Sequence, residues 1–178
     1  MPMSVGGGVK NIEDIRELLK VGADKVVINT AAIDNPGLIK QGAEKFGVQC
    51  IVVSIDVKRE NDRWQVYSHC GNKPTGLNPV EHAKNMESMG AGEIILTSID
   101  QDGTMQGYDV ELTQAVATSV NIPVVASGGA GSYADMEEVL NKSHAASVAA
   151  SSIFHYTEQT PKEAKAYLKE KGFSIRLQ

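Results

Sequence analysis

The sequence predicts an α/β fold in which parallel strands alternate with helices, and three observations support this prediction. Apolar runs at 25–29, 50–56 and 94–98 are nearly continuous, as in strands that are buried on both faces of a parallel sheet. Segments with apolar side chains at helical spacing separate these runs. Polar residues follow one strand after another, and a barrel collects all such loops at one end. We therefore favour a (βα) barrel over an open, doubly wound sheet, which concentrates binding at one switch point.

Length, charge and composition restrict the possible partners. The chain has 178 residues, of which 42% are hydrophobic, so we expect one domain spanning residues 1–178. A net charge of −5 argues against nucleic acid and an anionic membrane as partners. Neither a signal peptide nor an apolar stretch near the roughly 20 residues of a membrane span is found, so a cytoplasmic protein is expected. Cys50, Cys70 and the four histidines lack metal-ligand spacing, and no metal or cofactor is predicted.

Caps and stops define the elements of the first part of the chain. Asn11 and Asn35 are suited to N-cap two helices, Pro36 suits a first helical position and Gly22 ends a helix. The predicted elements are a strand ending at residue 5, a helix over 11–21, a strand over 25–29, a helix from 35 to about 47, and a strand over 50–56.

The remaining elements follow from the same signals. Residues 58–75 form a segment longer than a simple connector, with alternating residues at 64–67, so we interpret it as a lid or binding element. Asn78 and Thr160 begin helices with capping signals. The predicted elements are helices over 78–89, 109–120, 132–141 and 160–171, and strands over 94–98, 122–126 and 147–150.

Two glycine-rich turns follow strands in the same way, one at Gly7-Gly8 and one at Gly128-Gly129. Backbone N–H groups in such turns approach an anion closely, and the start of the next helix adds a favourable partial charge, which predicts phosphate binding. The two turns align as a repeat of 121 residues. At roughly 30 residues per βα unit, this spacing equals four units, half of an eight-unit barrel. The sequence supplies about six strands, so we expect a barrel that lacks its first two βα units.

Carboxylates lie directly after two of the predicted strands. Asp56 ends the run 50–56, and Asp100 and Asp102 follow the run 94–98. General acid–base chemistry needs such groups on facing loops, so that one donates a proton while another accepts. We predict that Asp56 and Asp102 meet across the mouth of the barrel for this chemistry. Asp100 is assigned a structural role.

Taken together, the motifs resemble one enzyme family. They are VGGGV at 5–9, GADKVVINTAA at 22–32, VSID at 53–56, GAGEIILTSID at 90–100, DGT at 102–104, GYD at 107–109 and ASGGAG at 126–131. In this order and spacing they are similar to the cyclase subunit of imidazole glycerol phosphate synthase, over essentially the whole chain. The resemblance implies a (βα)₈ barrel that takes ammonia from a glutaminase partner. With that ammonia it would convert phosphoribulosyl formimino aminoimidazole carboxamide ribonucleotide, which has a phosphate at each end, to imidazole glycerol phosphate and aminoimidazole carboxamide ribonucleotide.

The resemblance also implies roles for individual residues. Asp102 matches one of two acid–base aspartates, the other of which belongs to a first strand that is not in this sequence, and Asp56 matches a further aspartate that supports activity. Lys25 and Glu93 match half of a charged ring through which ammonia enters at the opposite end of the barrel. The residues that match the two phosphate sites are Gly7, Gly8, Asn29 and Thr30 for one, and Gly128, Gly129, Ala150 and Ser152 for the other.

Two alternatives and one consequence remain open at this point. The segment 155–161 is closer to a paralogous branch of the family that serves amino-sugar synthesis. A catalytically impaired phosphate-binding remnant is also compatible with the absence of the first-strand aspartate. Six strands cannot close the usual barrel, and unpaired edge strands associate readily, so we expect a homo-oligomer.

Overall fold

The computed structural model describes residues 2–176, in which parallel strands curve into a half-barrel with helices on the outside. The sheet order is β1-β2-β3-β6-β7-β8, so β1 and β8 are its two edges, and β4 and β5 extend from β3. The strands are β1 Ser4–Gly6, β2 Lys25–Ile28, β3 Ile51–Glu60, β4 Arg63–Ser68, β5 Lys73–Pro74, β6 Glu93–Ser98, β7 Val124–Ser127 and β8 Ser147–Ala149. The predicted partial barrel of six parallel strands is thereby confirmed.

Three helices begin at predicted caps, which are Asn11, Asn78 and Thr160, and Asp109 and Ser132 cap two more. The side chains of these five residues each accept hydrogen bonds from the first turn of the helix that follows. The helices are α1 Ile12–Lys20, α2 Thr30–Asp34, α3 Gly37–Phe46, α4 Pro79–Ser88, α5 Val110–Ala117, α6 Tyr133–Ser143, α7 Ser152–Tyr156 and α8 Pro161–Glu170.

The prediction that Asn35 caps a helix was wrong. Residues 30–34 already form the short helix α2, and the N-cap of α3 is Pro36, without a side-chain hydrogen bond. Asn35 is instead the C-cap of α2, and its backbone N–H donates to Ala31 O. The sequence signal at 35–36 therefore marks the junction between two helices.

The two faces of the sheet differ in burial. Val26, Ile28, Ile94 and Leu96 point outward and are at most 1% exposed, because α1, α3, α4 and α5 cover them. Their neighbours on the inner face, such as Val27 and Ile95, are only partly buried. The prediction of strands buried on both faces was therefore wrong for the inner face of β2 and β6, which lies on the open side of the half-barrel, whereas Val52 on the inner face of β3 is fully buried.

Residues 58–75, predicted as a long loop, mostly extend the sheet. Strand β3 continues beyond its parallel partners and turns back into β4, with the pairs Asp56↔Tyr67 and Glu60↔Arg63. Asn61 and Asp62 at the turn both have positive φ, which is the pattern of a type I′ hairpin. We call residues 58–74 the hairpin arm.

The predicted repeat is visible in the local geometry. Asp14 accepts hydrogen bonds from the backbone N–H groups of Lys10 and Asn11, at 2.8 and 3.2 Å. Asp135, 121 residues later, accepts from Gly131 and Ser132 at 2.9 and 2.8 Å. These capping boxes use backbone N–H groups at the start of α1 and α6. An anion would therefore be bound by the N–H groups of the glycine turns themselves.

Candidate active site

The first cavity lies at the carboxyl ends of β1, β2 and β3. It measures about 830 Å³, and all four residues predicted for the first phosphate site line it: Gly7, Gly8, Asn29 and Thr30. Asp56 lines the same cavity. The structure thus brings one glycine turn and one predicted catalytic carboxylate together.

A second, smaller cavity repeats this arrangement at the carboxyl ends of β6, β7 and β8. It measures about 130 Å³ and is lined by Gly128, Gly129, Ala150 and Ser152, the residues predicted for the second phosphate site. Asp102 is on its wall. The pairing of a glycine turn with a carboxylate therefore occurs twice along one end of the half-barrel.

Asp56 is held by neighbouring polar side chains. The Asn29 amide donates a hydrogen bond to Asp56 Oδ2 at 2.9 Å, and the Ser54 hydroxyl donates to Oδ1 at 3.3 Å. Burial raises the pKa of Asp56, the two hydrogen bonds oppose that rise, and the negative charge of Asp102 adds to it. The two aspartates therefore interact electrostatically, and the proton-bearing form of Asp56 is favoured more than for a free carboxyl group.

Asp102 is exposed on the loop between β6 and α5. Its backbone N–H donates to Ser98 O at 2.9 Å, which fixes the start of that loop. The end of the loop is fixed by Gly107 N–H, which donates to Gly129 O at 2.8 Å. The carboxylate of Asp102 is thus presented to solvent by a loop that is attached to the second glycine turn.

The two glycine turns differ in how tightly they are packed. A Cβ atom on Gly129 would lie 2.0 Å from Gly107 O, and one on Gly128 would lie 2.8 Å from Ser98 O. At Gly7 and Gly8 a Cβ would meet nothing within 4 Å. All four residues have positive φ, so glycine is favoured at each of them, but only the second turn also requires glycine for close approach of backbone.

Lys25 and Glu93 lie at the opposite end of the strands. Lys25 Nζ is 2.6 Å from Glu93 Oε2, and the two side chains are 36% and 18% exposed. Strand β3 separates β2 from β6, so this ion pair spans three strands on the inner face of the sheet. The structure brings together the two residues predicted to form part of a charged ring.

Comparison with known proteins assigns the family. A family model described as histidine biosynthesis protein matches residues 1–160. Imidazole glycerol phosphate synthase subunit HisF from Dehalococcoides mccartyi (strain BAV1) is 56% identical over 178 residues, which is all of this chain and 70% of that protein. HisF from Clostridium botulinum (strain Okra) is 52% identical over 179 aligned positions, covering 99% of this chain and 71% of the relative. The chain belongs to the HisF family.

This membership confirms the resemblance to the cyclase subunit and assigns the chain to an enzyme family of histidine biosynthesis. The names of these HisF relatives favour the histidine branch over the amino-sugar branch. Both glycine turns and both aspartates lie within the part that the family model matches.

Sequence reasoning missed several residues of this candidate site. Ser54 lies two residues before Asp56 on the same strand face, so period-two alternation identifies it once the strand is known. Tyr108 donates from its hydroxyl to Ala149 O at 3.0 Å and joins the Asp102 loop to β8, a long-range contact with no local signal. His69 and Cys70, in the hairpin arm, line the first cavity, which only the path of the arm reveals.

Neither a metal cluster nor a membrane span is found within the described part of the chain. Among residues 2–176, no group of three or more His, Cys, Asp and Glu side chains is placed to hold a metal ion. No helix in that range is both long enough and apolar enough to cross a membrane.

Proposed function

We propose that this chain acts as a cyclase subunit of imidazole glycerol phosphate synthase. It would use ammonia to convert phosphoribulosyl formimino aminoimidazole carboxamide ribonucleotide to imidazole glycerol phosphate and aminoimidazole carboxamide ribonucleotide. The observation that carries this proposal is the duplicated arrangement at one end of the half-barrel, where each cavity pairs a glycine turn with a carboxylate. Two such cavities suit a substrate with a phosphate at each end.

In this proposal, each cavity binds one phosphate of the substrate. Backbone N–H groups of a glycine turn with positive φ converge on an anion, and hydroxyl groups at the neighbouring strand exit add donors. The first phosphate is assigned to Gly7, Gly8, Asn29 and Thr30, and the second to Gly128, Gly129, Ala150 and Ser152. The substrate then extends across the carboxyl ends of β3 and β6, past both aspartates.

Asp102 and Asp56 are proposed to carry the acid–base chemistry. Asp102 is exposed, so its carboxylate is available to exchange a proton with bound substrate. Asp56 is a suitable proton donor, because burial raises its pKa although the hydrogen bonds from Asn29 and Ser54 oppose that rise. The two carboxyl groups thus differ in environment, as acid–base partners do.

Ammonia is proposed to enter at the opposite end, past the Lys25–Glu93 ion pair, from a glutaminase subunit docked there. Three of the exposed large apolar side chains are close in sequence to the amino ends of strands at this end: Met3, Val21 and Val48, which are 48%, 79% and 53% exposed. Apolar residues around a charged opening suit a protein partner. Lys25→Met should lower glutamine-dependent turnover in the complex more than ammonia-dependent turnover.

The proposal includes self-association of this chain and a cytoplasmic location. Within residues 2–176, β1 and β8 each pair with a single neighbour, so each has one edge available for another copy. Light scattering tests the self-association, since a monodisperse monomer would contradict it. Cell fractionation tests the cytoplasmic location.

The decisive experiment is ammonia-dependent turnover of the phosphoribulosyl formimino substrate by the 178-residue chain, beside an Asp102→Asn variant. We expect turnover that the substitution lowers by about a hundredfold or more. Because Asp102 is exposed, the variant should remain folded, which its circular dichroism would check. Substrate binding without turnover would favour the phosphate-binding remnant. If the chain neither binds nor turns over the substrate, the proposal is rejected.

A further inference from the structure

The hairpin arm reaches the first cavity at a turn that the proposed function has not used. His69 and Cys70 line that cavity together with Gly7, Gly8 and Thr30. Both residues are exposed, and both have a left-handed backbone, with φ of 53° and 56°. Consecutive non-glycine residues in this conformation are uncommon, and such conformations cluster at binding sites.

The turn is fixed to the predicted phosphate site by a hydrogen bond. His69 N–H donates to Thr30 Oγ1 at 3.0 Å. Within the turn, Asn72 N–H donates to Ser68 O at 3.1 Å, and the Asn72 side chain donates to His69 O at 2.8 Å. A hydroxyl group that accepts one hydrogen bond still has its own proton to donate, so the contact orients the Thr30 hydroxyl without using its donor.

We propose that the imidazole of His69 contacts the anionic group bound between the Gly7-Gly8 turn and Thr30, while the His69 backbone orients the Thr30 hydroxyl toward that group. The proposal rests on the proposed function in taking this group to be one phosphate of the substrate. It adds a contact from the hairpin arm to a site otherwise built from β1 and β2.

Charges around the cavity explain why a histidine contact matters there. Lys10, on the loop after β1, is a cationic residue on the cavity wall, whereas Asp34 on α2 and Asp56 on β3 are acidic. Cys70 is the other titratable group on the turn itself. A dianion in this cavity therefore meets two carboxyl groups, and a second cationic side chain offsets their repulsion. Histidine is the side chain that gains charge between about pH 8 and about pH 5.

The test measures sulfate binding by NMR near pH 6 and near pH 8, because sulfate is a dianion at both pH values. Amide signals of Gly7 and Gly8 report the first cavity, and those of Gly128 and Gly129 report the second in the same titration. The variant is His69→Asn, since asparagine tolerates a left-handed backbone and keeps the N–H donor to Thr30. His155→Asn, an exposed histidine on α7 that does not line the first cavity, is the matched control.

We expect His69→Asn to weaken sulfate binding at the first cavity about fivefold near pH 6 and less than about twofold near pH 8. Binding at the second cavity, and binding by the control, should match the wild-type protein. An unchanged affinity at both pH values, or no sulfate-induced shift of Gly7 and Gly8 in the wild-type protein, would overturn the proposal. Absence of turnover by the wild-type chain, with the sulfate effect of His69→Asn intact, would instead count against the proposed function alone.

Discussion

Asn29 and Asp56 are joined by a hydrogen bond of 2.9 Å from the amide nitrogen to a carboxylate oxygen. Asn29 was predicted to bind phosphate and Asp56 to exchange protons, yet the structure makes them one unit across β2 and β3. In the proposed function, phosphate bound beside Asn29 would therefore act directly on the position of the proposed catalytic carboxyl group of Asp56.

Asp56→Asn should raise the free energy of unfolding at pH 7 while lowering turnover about a hundredfold or more. Burial raises the pKa of Asp56 above that of an unfolded aspartate. The stabilisation from the protonated form is thus fully present below about pH 4 and is lost as pH rises through the folded-state pKa. Asparagine removes the ionised group and retains an oxygen for Asn29.

This prediction is checked by urea unfolding of the wild-type protein and of Asp56→Asn, each at pH 7 and near pH 4. Turnover assays of both proteins complete the test. The stability difference should shrink at the lower pH. Asp100→Asn is the control, because Asp100 accepts a hydrogen bond from Arg59 N–H at 2.7 Å and has no predicted catalytic role. Lower stability of Asp56→Asn than of the wild-type protein at pH 7 would contradict the prediction.

Gly8→Ala and Gly129→Ala should have unequal effects, although the two residues are equivalent in the repeat. The Cβ at residue 129 would overlap Gly107 O, whereas the Cβ at residue 8 meets open space. We expect Gly129→Ala to cost about 2 kcal/mol or more in stability, and Gly8→Ala about 1 kcal/mol from backbone strain alone. Thermal unfolding of both variants measures the difference, and equal losses would show that the packing at Gly129 is unimportant.

Tyr108→Phe should destabilise the protein by about 1–2 kcal/mol and weaken anion binding at the second cavity only. The substitution removes the hydroxyl that donates to Ala149 O and leaves that carbonyl without its partner at the end of β8. Urea unfolding and the sulfate titration supply the measurements. Tyr156→Phe, at a side chain that is 78% exposed, is the control and should leave both quantities unchanged.

His82 should make the protein less stable as the pH falls from about 7 to about 5. The residue is 5% exposed on α4, Nε2 has no hydrogen-bond partner among the described residues, and burial lowers its pKa. The unfolded chain then takes up a proton near pH 6.5 that the folded chain resists, which favours unfolding. Urea unfolding followed by Trp64 fluorescence should show a shallower pH dependence for His82→Gln than for His155→Gln, and identical slopes would exclude this role.

Much of the site followed from the sequence because its signals are local. A glycine turn, a cap or a carboxylate after an apolar run depends on neighbouring residues, so the positions of Gly7, Gly128, Asp56 and Asp102 along the chain were predictable. Contacts between distant segments left no such signal. The hydrogen bond from His69 to Thr30 and that from Tyr108 to Ala149 join residues 39 and 41 positions apart.

The sequence by itself determined the alternation of strands and helices, the 121-residue repeat and the end of the sheet at which the polar groups lie. Periodicity and chain direction are sufficient for these, since parallel strands present their carboxyl ends together. Only the tertiary structure decided that the two aspartates belong to separate cavities, that the hairpin arm reaches the first of them, and that the second glycine turn is closely packed while the first is open. Those outcomes depend on strand curvature and on backbone approaching backbone, which no local pattern of side chains encodes.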